Sequence, residues 1–146
     1  MSKDISIRRF QDLDVWQTAR ELARGVYRAE KSQPLGRDFP MLNQMKRAAI
    51  SVSSNIAEGF ERGSRKQQIE ACYIAKGSAA ELLSQTVVSH DVDLLDDAAY
   101  GWLSNKCDKC LRQLQAYLNH LRATKSDYPG PKFARPNDKD DGASRV

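Results

Sequence analysis

The stretch AAYGWLSNKCDKCLRQLQAYLNHL, Ala98 to Leu121, decides the fold. Within it Ala99, Leu103, Cys107, Cys110, Leu114, Tyr117 and Leu121 recur at steps of three and four. That spacing brings side chains to one side of an α-helix, and over several turns it makes a coiled-coil-like seam. The pattern predicts a helix from about Leu95 to Lys125. A seam this long must be covered by other helices, and the sequence upstream supplies them.

Immediately before it, a long helix is expected to run to about His90, opened by Ser64 with Gln67 three residues later in a capping-box arrangement. This segment carries two apolar lines. Cys72, Ala75, Ala79, Leu82 and Thr86 form one, and Ile69, Tyr73, Ala80, Leu83 and Val87 run beside it. A stripe so wide implies more than one neighbour.

Further upstream, Asp38 is a plausible N-cap with Pro40 in the first turn, and Leu42, Met45, Ala49, Val52, Ile56 and Phe60 follow in helical steps. Gly63-Ser64 ends that helix. A first helix, about Leu13 to Lys31, carries Trp16, Ala19, Leu22, Ala23, Val26 and Tyr27, with Asp12 or Asp14 as its cap. Gln33-Pro34-Leu35-Gly36 breaks the chain after it.

Residues 1–12 read as a polar lead-in, 13–125 as the helical domain, and 126–146, rich in Pro, Gly, Asp and Lys, as a flexible tail. No segment alternates in the period of a strand. Short turns make consecutive helices antiparallel neighbours. The expected fold is all-α, an up-down-up-down four-helix bundle.

A chain of 146 residues buries a real core without staples. Its net charge of +4 leans toward acidic partners such as nucleic acid. The sequence holds no run of about 18 apolar residues to span a bilayer. MSKDISIRR is not followed by the apolar core of a signal peptide, so a cytoplasmic location is expected. Three cysteines without a framework spacing suit reduced thiols.

Three motifs together resemble a known family. FQDLDVWQTA (Phe10 to Ala19), SNIAEGFERGS (Ser54 to Ser64) and IAKGSAAEL (Ile74 to Leu82) are similar, in order and spacing, to the four-helix-bundle proteins named after the 23S rRNA intervening sequences that encode some of them. The likeness covers roughly Phe10 to Arg122. It implies a bundle that assembles as a homo-oligomeric ring, with a pentamer suggested. It also implies a distant kinship to accessory proteins of diversity-generating retroelements, which partner a reverse transcriptase and nucleic acid.

The candidate nucleic-acid-binding residues form two groups. Arg20, Arg24, Arg28 and Lys31 fall along one face of the first helix, opposite Trp16, Ala19, Leu22 and Val26. Guanidinium forks suit phosphate oxygens, whereas Glu21 and Glu30 would temper the field of a merely solvated face. Arg62, Arg65 and Lys66 surround the turn into the third helix, where free backbone N–H groups also favour anions. These charges have an alternative in Glu58, Glu61 and Glu70.

Asn55 and Glu58 lie on a polar helix edge, and the resemblance implies an assembly role in which they bond a neighbouring helix or subunit while Gly59 permits close approach. Ser78 and Glu81 lie on a semi-polar line of the third helix that would serve a neighbouring subunit or a tight crossing. Glu58 and Glu81 would also make a carboxylate pair across helices. CDKC, Cys107 to Cys110, has the spacing of half a zinc site, yet with Cys72, His90 and His120 scattered it reads better as apolar seam thiols. No metal, cofactor or catalytic residue is expected. Two functions stay open: a non-catalytic scaffold binding RNA, DNA or a nucleoprotein, and a structural or protein-interaction ring without a nucleic-acid role.

Overall fold

The computed structural model describes residues 7–123 and contains four α-helices and no strand among them. α1 spans Asp14–Ser32, α2 Phe39–Arg62, α3 Arg65–Asp91 and α4 Asp97–Ala123. Short 3-10 turns, Phe10–Asp12 and Pro34–Arg37, precede α1 and α2. The expected tail and the first six lead-in residues lie outside the described residues.

Local chemistry sets most helix ends. The Asp38 carboxylate accepts the Met41 N–H at 3.1 Å, and the Ser64 hydroxyl accepts the Gln67 N–H at 3.2 Å. Each satisfies a first-turn donor that has no partner within the helix. Between them Gly63 closes α2 at φ 79°, a left-handed conformation that glycine adopts without strain. The expected cap of α1 is corrected: the N-cap is Leu13, with no side-chain bond. Asp12 instead accepts the N–H groups of Arg8 and Arg9, each at 3.0 Å, and Asp14 sits in the first helical turn.

α1 packs on α2 and α4, and α3 packs on the same two, so α1 and α3 stand diagonally across an antiparallel up-down-up-down bundle. The seam of α4 is buried through Leu103, Cys107, Cys110, Leu114, Leu118 and Leu121. Leu118 takes the place expected of Tyr117, which lies at the seam's edge with its hydroxyl 3.0 Å from Gln68 Oε1. One end of the bundle is tied by reciprocal bonds. The Asp96 N–H donates to Gln33 Oε1 at 2.9 Å, Gln33 Nε2 donates to Asp96 Oδ2 at 3.2 Å, and Asp96 Oδ1 accepts the Ala99 N–H at 2.7 Å.

The two apolar lines of α3 part company. Cys72, Ala75, Ala79, Leu82 and Thr86 are buried, whereas Tyr73, Ala80 and Val87 face outward beside Ile74 and Val88. Ile74 is 56% exposed and Val88 44%. An exposed helix normally turns charge to water, and this one presents an apolar outer side. Among the described residues, no helix is long and apolar enough to cross a membrane.

Candidate functional site

The outer face shared by α1 and α4 gathers cations around two indoles. Arg20, Arg24, Arg28 and Lys31 are all exposed on α1. The Arg20 guanidinium lies 5.7 Å from the Trp16 ring centroid, so Trp16 adjoins the basic stripe instead of opposing it. Arg28 lies 5.5 Å from the ring of Trp102 on α4, and the Lys106 ammonium 5.6 Å. Such contacts hold flexible cations against an electron-rich ring.

Trp102 reaches α1 because Gly25 leaves room for it. A Cβ at that position would stand 2.2 Å from Cζ3 of the indole. Beside the ring opens a groove of about 280 Å³, walled by Gly25, Arg28, Ala29, Ser32, Ala99 and Trp102.

The glutamates of α1 temper the stripe only in part, because each is bound first by a lysine of a neighbouring helix. Glu21 pairs with Lys106 of α4 at 2.5 Å, and Glu30 pairs with Lys46 of α2 at 2.7 Å. The Lys106 bond holds the Glu21 carboxyl below its ordinary range, aided by the charges of Lys109 and Arg24. Each glutamate is thus engaged by a neighbouring helix. Arg20 and Arg28 lie over the Trp16 and Trp102 rings, and Arg24 feels Glu21 through its charge alone.

The second basic group sits elsewhere, on the turn joining α2 to α3. Arg62 pairs with Glu58 at 2.7 Å, with both side chains about half exposed. Exposed pairs of this kind contribute ~0–1 kcal/mol. Arg65 and Lys66 begin α3, where the Ser64 hydroxyl already occupies one first-turn donor. This turn lies at the end of the bundle where α1 begins, whereas the stripe starts further along α1 at Arg20.

The polar edge of α2 resolves into a small network. Asn55 Nδ2 donates to the Ser51 carbonyl at 2.8 Å and to Ser51 Oγ at 3.0 Å, and Ser51 Oγ meets Ser78 Oγ of α3 at 2.7 Å. Asn55 therefore reaches α3 only through Ser51. Gly59 marks a close crossing of α2 and α3: a Cβ there would lie 2.6 Å from Ala71 Cβ and 3.3 Å from Gln68 Cα. Glu81 lines an open polar groove with Gln44, Arg47, Ala48, Ser51 and Ser78.

That register rules out the carboxylate pair. Ser51 opposite Ser78 places Glu58 opposite Ala71, ten residues from Glu81, which is about 15 Å along a helix. The thiols are equally clear. Burial pushes Cys72, Cys107 and Cys110 up to about 12, so they stay protonated within the α3/α4 core. Among the described residues, no cluster of His, Cys, Asp and Glu is placed to hold a metal ion. His90 stacks on Tyr100, ring centroids 4.1 Å apart, with Nε2 2.8 Å from Asp97 Oδ1.

Trp102 was missed in the sequence reading, although Trp102, Lys106 and Lys109 recur at steps of four and three on the outer side of the α4 seam. The spacing was there to be read. What it lacked was the partner across the groove, since Gly25 and Trp102 lie 77 positions apart.

A family model described as 23S rRNA-intervening sequence protein matches residues 11–116. Among solved structures, the chain is similar to a protein of unknown function from the S23 ribosomal protein family of Bacteroides thetaiotaomicron VPI-5482. The TM-score is 0.65 and the identity 20%, covering 71% of this chain and 97% of that one. At that identity the likeness speaks for the fold alone. No curated protein matches the chain.

Proposed function

The chain belongs to the 23S rRNA-intervening sequence protein family, and from that premise we propose that it is a non-catalytic, homo-oligomeric scaffold that binds RNA or DNA, alone or within a nucleoprotein. The observation that carries the reading is the exposed stripe Arg20, Arg24, Arg28 and Lys31, whose neighbouring glutamates are engaged by Lys106 and Lys46. Phosphate contacts made by such side chains release counterions, which makes binding strong at low salt and weak at high salt. The turn carrying Arg62, Arg65 and Lys66 is a second, separate anion contact. Labelled RNA and DNA titrated with the purified protein at low salt should raise anisotropy. The combined Arg20→Ala, Arg24→Ala and Arg28→Ala change should abolish most of that rise. Failure of both nucleic acids to bind, or binding that survives the triple change, contradicts the reading.

Assembly rests on a different observation. The outer side of α3 presents Ile74, Gly77, Ala80, Ser84, Val87 and Val88. A Cβ at Gly77 would meet nothing within 4 Å, so no described neighbour explains a glycine in mid-helix. Such a glycine costs about 0.5–1 kcal/mol relative to alanine. Small residues flanked by aliphatic ones fit the surface of a second copy of this chain, and in the pentameric ring that the resemblance implies, which we propose, the α3 side meets a different face of the next copy.

A further inference from the structure

We infer that Trp102 is a stacking platform for an unpaired base, so that the α1/α4 face prefers single-stranded nucleic acid to duplex; this rests on the nucleic-acid reading above. Trp102 is 38% exposed and stands off the buried seam of Leu103, Cys107 and Cys110, which packs without it. Its position is nevertheless built, because Gly25 supplies the space that lets the indole lie against α1. A solvated tryptophan with a glycine opposite it and a groove beside it has the parts of a binding site for a flat ring.

The charges around it complete the chemistry. Lys106 is anchored by Glu21 at 2.5 Å and stays beside the ring. Arg28 is exposed and lies over the indole on the groove side, where Ser32 and Ala99 form the walls. A guanidinium and a nucleobase are both planar and stack on the same kind of surface. The base takes the place over Trp102 that the Arg28 guanidinium occupies in the free protein, and Arg28 turns outward to a phosphate. Arg24 and Lys31, one turn to either side on the exposed face, continue the phosphate track. A duplex offers charge to this track but no free base face to Trp102, so only a single strand gains the stacking contribution.

The test uses the Trp16→Phe protein, which leaves Trp102 as the sole tryptophan. Short oligo(U), oligo(dT) and a duplex are titrated at one fixed salt concentration, reading fluorescence and anisotropy together. Both single strands should quench Trp102 saturably, whereas the duplex should raise anisotropy without quenching. Trp102→Leu should weaken single-strand binding roughly ten-fold and leave duplex binding unchanged, with Trp102→Phe recovering most of the loss. Equal weakening toward single strand and duplex, or single-strand binding without quenching, overturns the platform and leaves the phosphate track standing. Absence of binding by every nucleic acid overturns both.

Discussion

Along α1 the outward positions are held by Arg20, Arg24, Arg28 and Lys31; along α3, diagonally across the bundle, they are held by Ile74, Gly77, Ala80, Ser84 and Val88, with Glu81 among them. Charge acts through water and tolerates a mobile polymer, while small and aliphatic side chains gain only from a dry, shaped contact. One face therefore suits a polyanion and the other a protein surface. Because the two helices are diagonal, both faces are open at once.

The sharpest way to break this contrast is to put charge on the apolar side. Ala80 is exposed, so Ala80→Arg leaves the bundle intact and should convert the proposed homo-oligomer to monomer in sedimentation velocity. Nucleic-acid binding per chain through α1 should persist at high protein concentration. A variant that stays assembled would show that α3 is not the contact.

Next in size is one substitution made on each side, measured in the Ala80→Arg background so that assembly does not contribute. Gly25→Ala sets a Cβ against the far end of the Trp102 side chain, which must swing off α1, so the lost indole packing offsets most of the gain of about 0.5–1 kcal/mol in helix propensity. Gly77→Ala meets nothing, and should stabilise the bundle by about 0.5–1 kcal/mol. Urea melts should show a clear gain for Gly77→Ala and a smaller gain or none for Gly25→Ala. Destabilisation at Gly77 would mean that the glycine serves the single chain after all.

The smallest effect comes from the tied end, which belongs to neither face. The Ala99 N–H, then the Gln33 amide, hold the Asp96 carboxyl below its ordinary value of 3.8. A folded-state value depressed below the unfolded one contributes stability that is present above the unfolded value and lost as pH falls through the folded one. Asp12 is lowered in the same direction, first by the N–H of Arg8. Melting temperature should therefore fall in acid below about pH 4. Asp96→Asn keeps the cap acceptor but removes the charge, and should make that acid limb shallower without changing its end point.

Much of this architecture was legible in the sequence because its causes are local. The Asp38 and Ser64 caps, the α4 seam and the breaks at Pro34 and Gly63 are chemistry of neighbouring residues, and helix bounds follow from them. The side of α3 that turns inward was not legible. Both its lines are apolar, and only the positions of α2 and α4 decide between Cys72-Ala79-Leu82 and Tyr73-Ala80-Val87.

The candidate site divides in the same way. The arginine period of α1 is written in the sequence, whereas the engagement of Glu21 by Lys106, 85 positions away, belongs to the packed bundle. The expected Glu58–Glu81 pair failed for a related reason. Helix faces can be read from spacing, but the axial register between α2 and α3 is set by contacts such as Ser51–Ser78 and the close crossing at Gly59.

The most direct measurement is the slope of log K against log salt for single-stranded RNA and DNA, taken on the wild-type chain and on the Arg20→Ala, Arg24→Ala, Arg28→Ala variant. Loss of three phosphate contacts should flatten the slope by about 2. Equal slopes in the two proteins would contradict the claim that the α1 stripe holds the nucleic-acid backbone.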